Sequence, residues 1–344
     1  MVARASTAPT PRDTLYRDGR GSVFRFRSRA LGGGDKATHA PVLLVPSMLQ
    51  EWYVLDRRHG RSVAAALCDG TPWETYCLDW GVPEEEDRYV EWDDIVARLG
   101  RAVRFVQRTT GQAKVALIGY SMGATLAAIH AALRPESVAA FVNIAGPIDF
   151  SSSGQLGAVL DRRWFDADAV ASAGNIGAVQ LQMQSAVCAL RPARVLSRWM
   201  RVMQETHDVG DYAASPALDL WPGEGIPFPA AAYATYVREL YQGNRLVRGE
   251  HWVGGERVDL SRITCPHLSV VATADSICPA ASTTALGEHT RSVVKDVLGI
   301  TGGHVGAVTG PRAAIELYPH LVAWLTQHAT RDATFARIAQ ETSS

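Results

Sequence analysis

The sequence predicts an α/β protein: a mostly parallel sheet with helices on both faces and an inserted, mainly helical cap. Three observations carry that expectation. Short apolar runs with a β-branched bias alternate with segments of helical periodicity from about residue 40 to 150, the pattern of successive crossovers in a parallel sheet. The alternation stops between about 150 and 260 and then resumes. Within it lies KVALIGYSMGATLAAIHAALRP, a buried strand that turns directly into an alanine- and leucine-rich helix, with Gly119-Tyr120-Ser121-Met122-Gly123 at the bend.

Taken in order, residues 1–14 are small, polar and proline-bearing and are expected to form a disordered arm. Residues 22–28 (SVFRFRS) alternate and read as an edge strand with its charges outward. Residues 30–40 (ALGGGDKATHA) read as a flexible loop, and 41–45 as a buried strand running into Pro46-Ser47-Met48-Leu49. A helix is expected over 62–67 and a strand over 75–78. The acidic run 84–87 reads as a solvated face. Residues 93–109 place Ile95, Val96, Leu99, Val103 and Val106 on one helical side. After the serine bend, 139–144 is the next strand. Residues 151–260 read as a cap over the C-terminal ends of the strands, rich in tryptophan and interrupted by LWPGEGIPFP. Strands at 267–273 and 292–298 and a helix over 313–327 complete a core made of 15–150 and 261–330, with 331–344 as a tail.

The bend itself is the G-x-S-x-G nucleophile elbow in its proper strand-to-helix context, which predicts the α/β-hydrolase fold. Gly119 and Gly123 supply the lack of bulk that so tight a turn requires. Ser121 then stands at a helix N-terminus, where backbone N–H groups can hold a developing oxyanion. In this fold the acid and the histidine follow the nucleophile in the chain. Asp275 ends the strand LSVVATA, and His304 lies in the glycine-rich loop Thr-Gly-Gly-His-Val-Gly before the last helix. The expected roles are nucleophile for Ser121, general base and acid for His304, and imidazole orientation for Asp275. Met122 and one of Met48 or Leu49 are the expected backbone oxyanion donors, each contributing about 3 kcal/mol. Asp275 also suits a helix cap, and Cys278 beside it reads as packing.

Composition narrows the rest. The 344 residues are 47% hydrophobic and 20% charged, with a net charge of -1. That balance gives no electrostatic case for nucleic acid or an anionic membrane. Five dispersed cysteines without a C-x-x-C pair argue for reduced thiols, no metal site and a cytoplasmic setting. The first residues lack the apolar core of a secretory signal, and no run of 18 apolar residues exists to span a membrane. No cofactor motif is present.

With those residues in place, the chain resembles the polyhydroxyalkanoate synthases, most of all the short class III type. The resemblance rests on Tyr16-Arg17-Asp18-Gly19, Val45-Pro46, Trp52-Tyr53-Val54-Leu55-Asp56 and Leu78-Asp79-Trp80-Gly81. In the cap it rests on Tyr233, Arg238-Glu239-Leu240-Tyr241, Asn244, Leu246 and residues 255–260, and near the end on Gly303-His304-Val305-Gly306. Such synthases load 3-hydroxyacyl groups from coenzyme A thioesters onto a cysteine and pass them to a growing chain. The resemblance therefore implies an acyl thioester substrate, on coenzyme A or a carrier protein, and a second subunit or homodimer as partner. Two positions depart from the pattern: Ser121 stands where the synthases carry cysteine, and Ser276 where they carry histidine. A serine ester is more stable than a thioester and favours single transfer or hydrolysis over processive polymerisation. Ester hydrolysis, including polyester depolymerisation, is the enzymatic alternative. A non-catalytic subunit that binds a synthase or granule is the alternative of another class.

Overall fold

The computed structural model describes residues 7–28, 39–69, 71, 73–177 and 225–329. Eight strands form one sheet: β1 (Arg12–Asp18), β2 (Gly21–Phe26), β3 (Val42–Val45), β4 (Thr75–Asp79), β5 (Val115–Tyr120), β6 (Val138–Ile144), β7 (His267–Ala272) and β8 (Lys295–Ile300). Their spatial order is β1-β2-β4-β3-β5-β6-β7-β8. The first two strands run antiparallel; β3 to β8 are parallel to one another. This is the mostly parallel sheet that the alternation predicts.

The central parallel strands β3, β5 and β6 are almost wholly buried because both of their faces are covered, whereas the last strand, β8, is mostly exposed. Leu43, Val45, Val115, Leu117 and Phe141 face α2 (Trp92–Thr110) and α3 (Met122–Leu133). Val42, Leu44, Ala116, Ile118, Ala140 and Val142 face the opposite side, with Leu67 of α1 (Val63–Cys68) and Leu321, Trp324 and Leu325 of the final helix, Tyr318–His328. A period of two along each strand divides the core into these two layers. On α2, the five residues expected on one side are all buried, and Gly111 ends the helix in the left-handed conformation.

Three expectations need correction at the sheet margins. Residues 12–14 belong to β1, so the arm is not disordered over its described part; Thr10 is buried, with its backbone N–H and hydroxyl donating to the Asp56 carboxylate at 3.0 and 2.8 Å. Because β1 takes the outer position, the strand at 22–28 is not an edge strand, and five of the six residues of β2 are buried. The last strand lies at Lys295–Ile300, displaced toward the C-terminus from 292–298, because its solvent-facing start offers little apolar pattern. Residues 30–38 of the expected loop and 330–344 of the expected tail lie outside the described residues.

Between the core segments, the described parts of 151–260 are mainly helical: Gly154–Val159, Ala167–Ser172 and Ala230–Thr235, the last continuing into a π-helical turn at Tyr236–Gln242. Residues 178–224, including the first part of LWPGEGIPFP, lie outside the described residues. Gly225 bridges to Gln50 in the loop after β3, and the Ile226 N–H donates to the Leu49 carbonyl at 3.4 Å.

Candidate active site

Ser121 begins where β5 ends. It adopts φ 54° and ψ -129°, a conformation that a residue with a Cβ enters only when its surroundings force it. The force is close packing. A Cβ on Gly119 would collide with the backbone of Ala124, and one on Gly123 with the carbonyl oxygens of Val45 and Pro46. The second contact also explains why the loop after β3 lies against the first turn of α3. The Ser121 N–H is tied to the Ile144 carbonyl at 2.8 Å, fixing the bend to β6.

Asp275 follows β7 in the turn Asp275-Ser276-Ile277-Cys278. Its Oδ1 accepts the N–H groups of Ile277 and Cys278, both at 2.8 Å, leaving Oδ2 directed elsewhere. Asp275 is thus not the helix cap that the sequence also allowed, since the helix Ala280–His289 starts after Pro279; it closes a local turn that aims its carboxylate. His304 follows β8. Its loop is anchored by the Ala274 N–H donating to the Gly302 carbonyl at 2.8 Å and by the Tyr120 hydroxyl on the His304 carbonyl at 3.4 Å.

The three side chains form one hydrogen-bonded row. His304 Nδ1 lies 2.7 Å from Asp275 Oδ2, and His304 Nε2 lies 2.9 Å from Ser121 Oγ. An ionised carboxylate can only accept, so Nδ1 carries the proton and Nε2 receives the serine O–H. The side chain of Asp275 is fully buried and that of His304 is 5% exposed. Such an arrangement can remove the serine proton as a carbonyl is attacked and hold the resulting imidazolium beside a carboxylate.

Of the expected oxyanion donors, Met122 opens α3 and Met48 is buried in the adjoining loop. Leu49 is the poorer candidate, since its N–H already donates to Ser47 Oγ at 3.2 Å. Cys278 is buried; its thiol contacts Thr283 Oγ1 at 3.2 Å, and desolvation raises its pKa far above the ordinary value, so it is packed and inert. No group of three or more metal-ligating side chains occurs among the described residues.

The alpha/beta hydrolase fold family model matches residues 40–311 of the chain. The chain belongs to the alpha/beta hydrolase fold family. This α/β-hydrolase is similar to poly(3-hydroxyalkanoate) polymerase subunits PhaC. It is 26% identical to that of Synechocystis sp. over 327 residues, 92% of this chain and 85% of that protein. With that of Allochromatium vinosum it shares 26% over 324 residues, 93% and 90% of the two chains. The Haloferax mediterranei subunit is 25% identical over 335 residues, 95% of this chain but only 66% of that protein. Among solved structures, a Nitrososphaera gargenis carboxylesterase structure matches with a TM-score of 0.51 at 13% identity, covering 92% of this chain and 99% of the other. An alpha/beta fold family hydrolase from Bacillus anthracis matches at 0.50 and 15%, covering 91% and 99%. At those identities the two structures speak for the fold alone.

Two residues that tie distant segments of the chain together escaped the sequence reading. His251 is fully buried between the Trp92 indole N–H, which donates to its Nε2 at 3.1 Å, and Glu239 Oε2, 2.9 Å from its Nδ1. Asp149 joins the end of β6 to Asn244 and to Ser282 in the helix after Asp275. Both act through contacts distant in sequence, and no local pattern announces them.

Proposed function

We propose that this α/β-hydrolase is a serine-dependent acyltransferase that works through a covalent acyl-Ser121. The preferred donor is an acyl or 3-hydroxyacyl thioester, on coenzyme A or a carrier protein, and the acceptor is a hydroxyl, an amine or water. The observation that carries the reading is the row Ser121 Oγ, His304 and Asp275, at 2.9 and 2.7 Å. Similarity to the polymerase subunits over more than nine-tenths of the chain favours a thioester donor.

In the first half-reaction Ser121 Oγ attacks the thioester carbonyl carbon and His304 Nε2 takes its proton. The C–S bond breaks, the thiolate leaves with that proton as a thiol, and the acyl group remains on Oγ. In the second, His304 takes a proton from the acceptor, the acceptor attacks the ester carbon, and Oγ regains the proton as it leaves. Asp275 holds the tautomer and offsets the imidazolium charge. The N–H groups of Met122 and Met48 serve the oxyanion. The cap, lying on the Leu49–Gln50 segment, bounds the acyl side of the site.

Ester hydrolysis is the second reading, favoured by the serine itself, because an oxoester intermediate is less readily passed on than a thioester. Labelling by a fluorophosphonate, lost in Ser121→Ala, is the expected result for both; an unlabelled wild type leaves only a non-catalytic role. Thiol release from acyl-coenzyme A compared with phenol release from p-nitrophenyl esters separates the two, and kcat/KM is expected to favour the thioester.

A further inference from the structure

We propose that Asn244, in the cap, is a positioning residue for Asp275, acting through Asp149 and Ser282 on the turn that carries the acid. The inference rests on the acyl-serine reading above. Asn244 follows the π-turn with φ 46°, in the left-handed region that asparagine tolerates better than most residues. Both ends of its amide are used. Nδ2 donates to Asp149 Oδ1 at 2.8 Å, and Oδ1 accepts the Phe150 N–H at 2.9 Å. Desolvation works to raise the Asp149 pKa, but hydrogen bonds from Ser151 and Asn244 outweigh it and hold the carboxyl below its ordinary range. The Asn244 bond is therefore charge-assisted and among the stronger kind.

Asp149 is fastened in turn to Ser282, which is fully buried. The Ser282 hydroxyl donates to the Asp149 carbonyl at 2.7 Å, and the N–H groups of Ile148 and Asp149 donate to the Ser282 carbonyl at 3.1 and 3.2 Å. The Ser282 N–H donates to the Pro279 carbonyl at 2.9 Å. Against the same proline lies Gly154 of the cap, where an added Cβ would come within 2.9 Å of Pro279 Cγ. Pro279 closes the turn whose Ile277 and Cys278 N–H groups grip Asp275 Oδ1. A continuous run of short contacts thus leads from the cap to the carboxylate that orients His304. Misplacement by about 1 Å at such a site costs on the order of a hundredfold in rate, so a partial loosening is expected to cost about tenfold.

The test measures the rate of Ser121 labelling by a fluorophosphonate, across pH, in the full chain. The variants are Asn244→Gly, Ser282→Ala, Asp275→Asn, and each of the first two combined with Asp275→Asn. Glycine keeps the left-handed backbone and removes the side chain with both of its amide hydrogen bonds. Asn244→Gly is expected to label about tenfold more slowly, with the midpoint of its pH profile lowered as the imidazolium loses its partner. In the Asp275→Asn background the same change is expected to add no further loss, because the route runs through the carboxylate. Wild-type labelling in Asn244→Gly, or an undiminished tenfold loss on top of Asp275→Asn, overturns the inference. Should Asn244→Gly fail to fold, Ser282→Ala decides by the same two criteria. A wild type that is not labelled at all removes the acyl-serine reading instead, so the two failures are distinguishable.

Discussion

At the scale of single residues, the site is a matter of bulk. Ser121 is held in a conformation that costs of order 1–3 kcal/mol, and two glycines make the bend possible. The atoms that a Gly123 Cβ would strike are backbone carbonyl oxygens of Val45 and Pro46, which cannot swing aside as a side chain could. Gly123→Ala is therefore expected to destabilise the protein by about 3 kcal/mol or more, read from its urea midpoint. The loop bearing Met48 must move as well, so labelling of Ser121 is expected to fall about a hundredfold. Gly287 makes the contrast. It lies inside the helix Ala280–His289, and nothing stands within 4 Å of where its Cβ would be. Gly287→Ala is expected to stabilise the protein by about 0.5–1 kcal/mol and to leave labelling unchanged. The same substitution at two glycines thus separates steric necessity from helix propensity.

At the scale of elements, what the sequence disclosed was local. The runs that became β3, β5, β6 and β7 are apolar on both faces and are bounded by glycine or proline, and those signals depend on nothing far away. Ser121, Asp275 and His304 were legible for a related reason: each sits at a strand end with its own turn chemistry. β1 was not, because RDTLYRD alternates charge with little apolar weight. The available signal was the turn after it, where Asp18 pairs with Gly21 across Gly19-Arg20 and Gly19 has φ 59°, a two-residue hairpin of the kind glycine permits. How the segment 230–251 is fastened to α2 was hidden more thoroughly, because it depends on pairs such as Trp92 with His251, 159 residues apart. The Trp92 ring also stacks on Tyr236 with centroids 5.3 Å apart, and Tyr236 meets Phe150, Phe228 and Tyr241 edge-on. His251→Ala would leave a cavity and strand the buried Trp92 N–H, while Glu239 keeps its ion pair with Arg245 at 3.1 Å. A loss of about 3 kcal/mol is expected, measured by urea denaturation. Hydrogen exchange is expected to rise first in 230–242, the stretch that these contacts pin to α2.

At the scale of the whole molecule, buried imidazoles set the response to acid. His130 contacts Ser137 Oγ at 3.1 Å and His267 contacts Thr290 Oγ1 at 2.9 Å. Burial, helped by Arg134 and Arg104 near the first and Lys295 near the second, lowers the pKa of each to about 4. Burial also lowers that of His251, against the opposing pull of Glu239. In each case the folded state prefers the neutral ring more strongly than the unfolded chain does, so the unfolded chain binds protons first as pH falls. Their contribution is fully present above about 6.5 and is lost as pH drops toward 4, below which it no longer changes. His130 and His267 are each expected to cost about 2 kcal/mol between pH 7.5 and pH 5, seen as a fall in the urea midpoint. Neither ring belongs to the Ser121 row, so replacing His267 with glutamine should flatten the stability profile without moving the pH midpoint of labelling. A labelling midpoint that shifted with His267→Gln would mean that these distant rings and the Ser121 row titrate as one system.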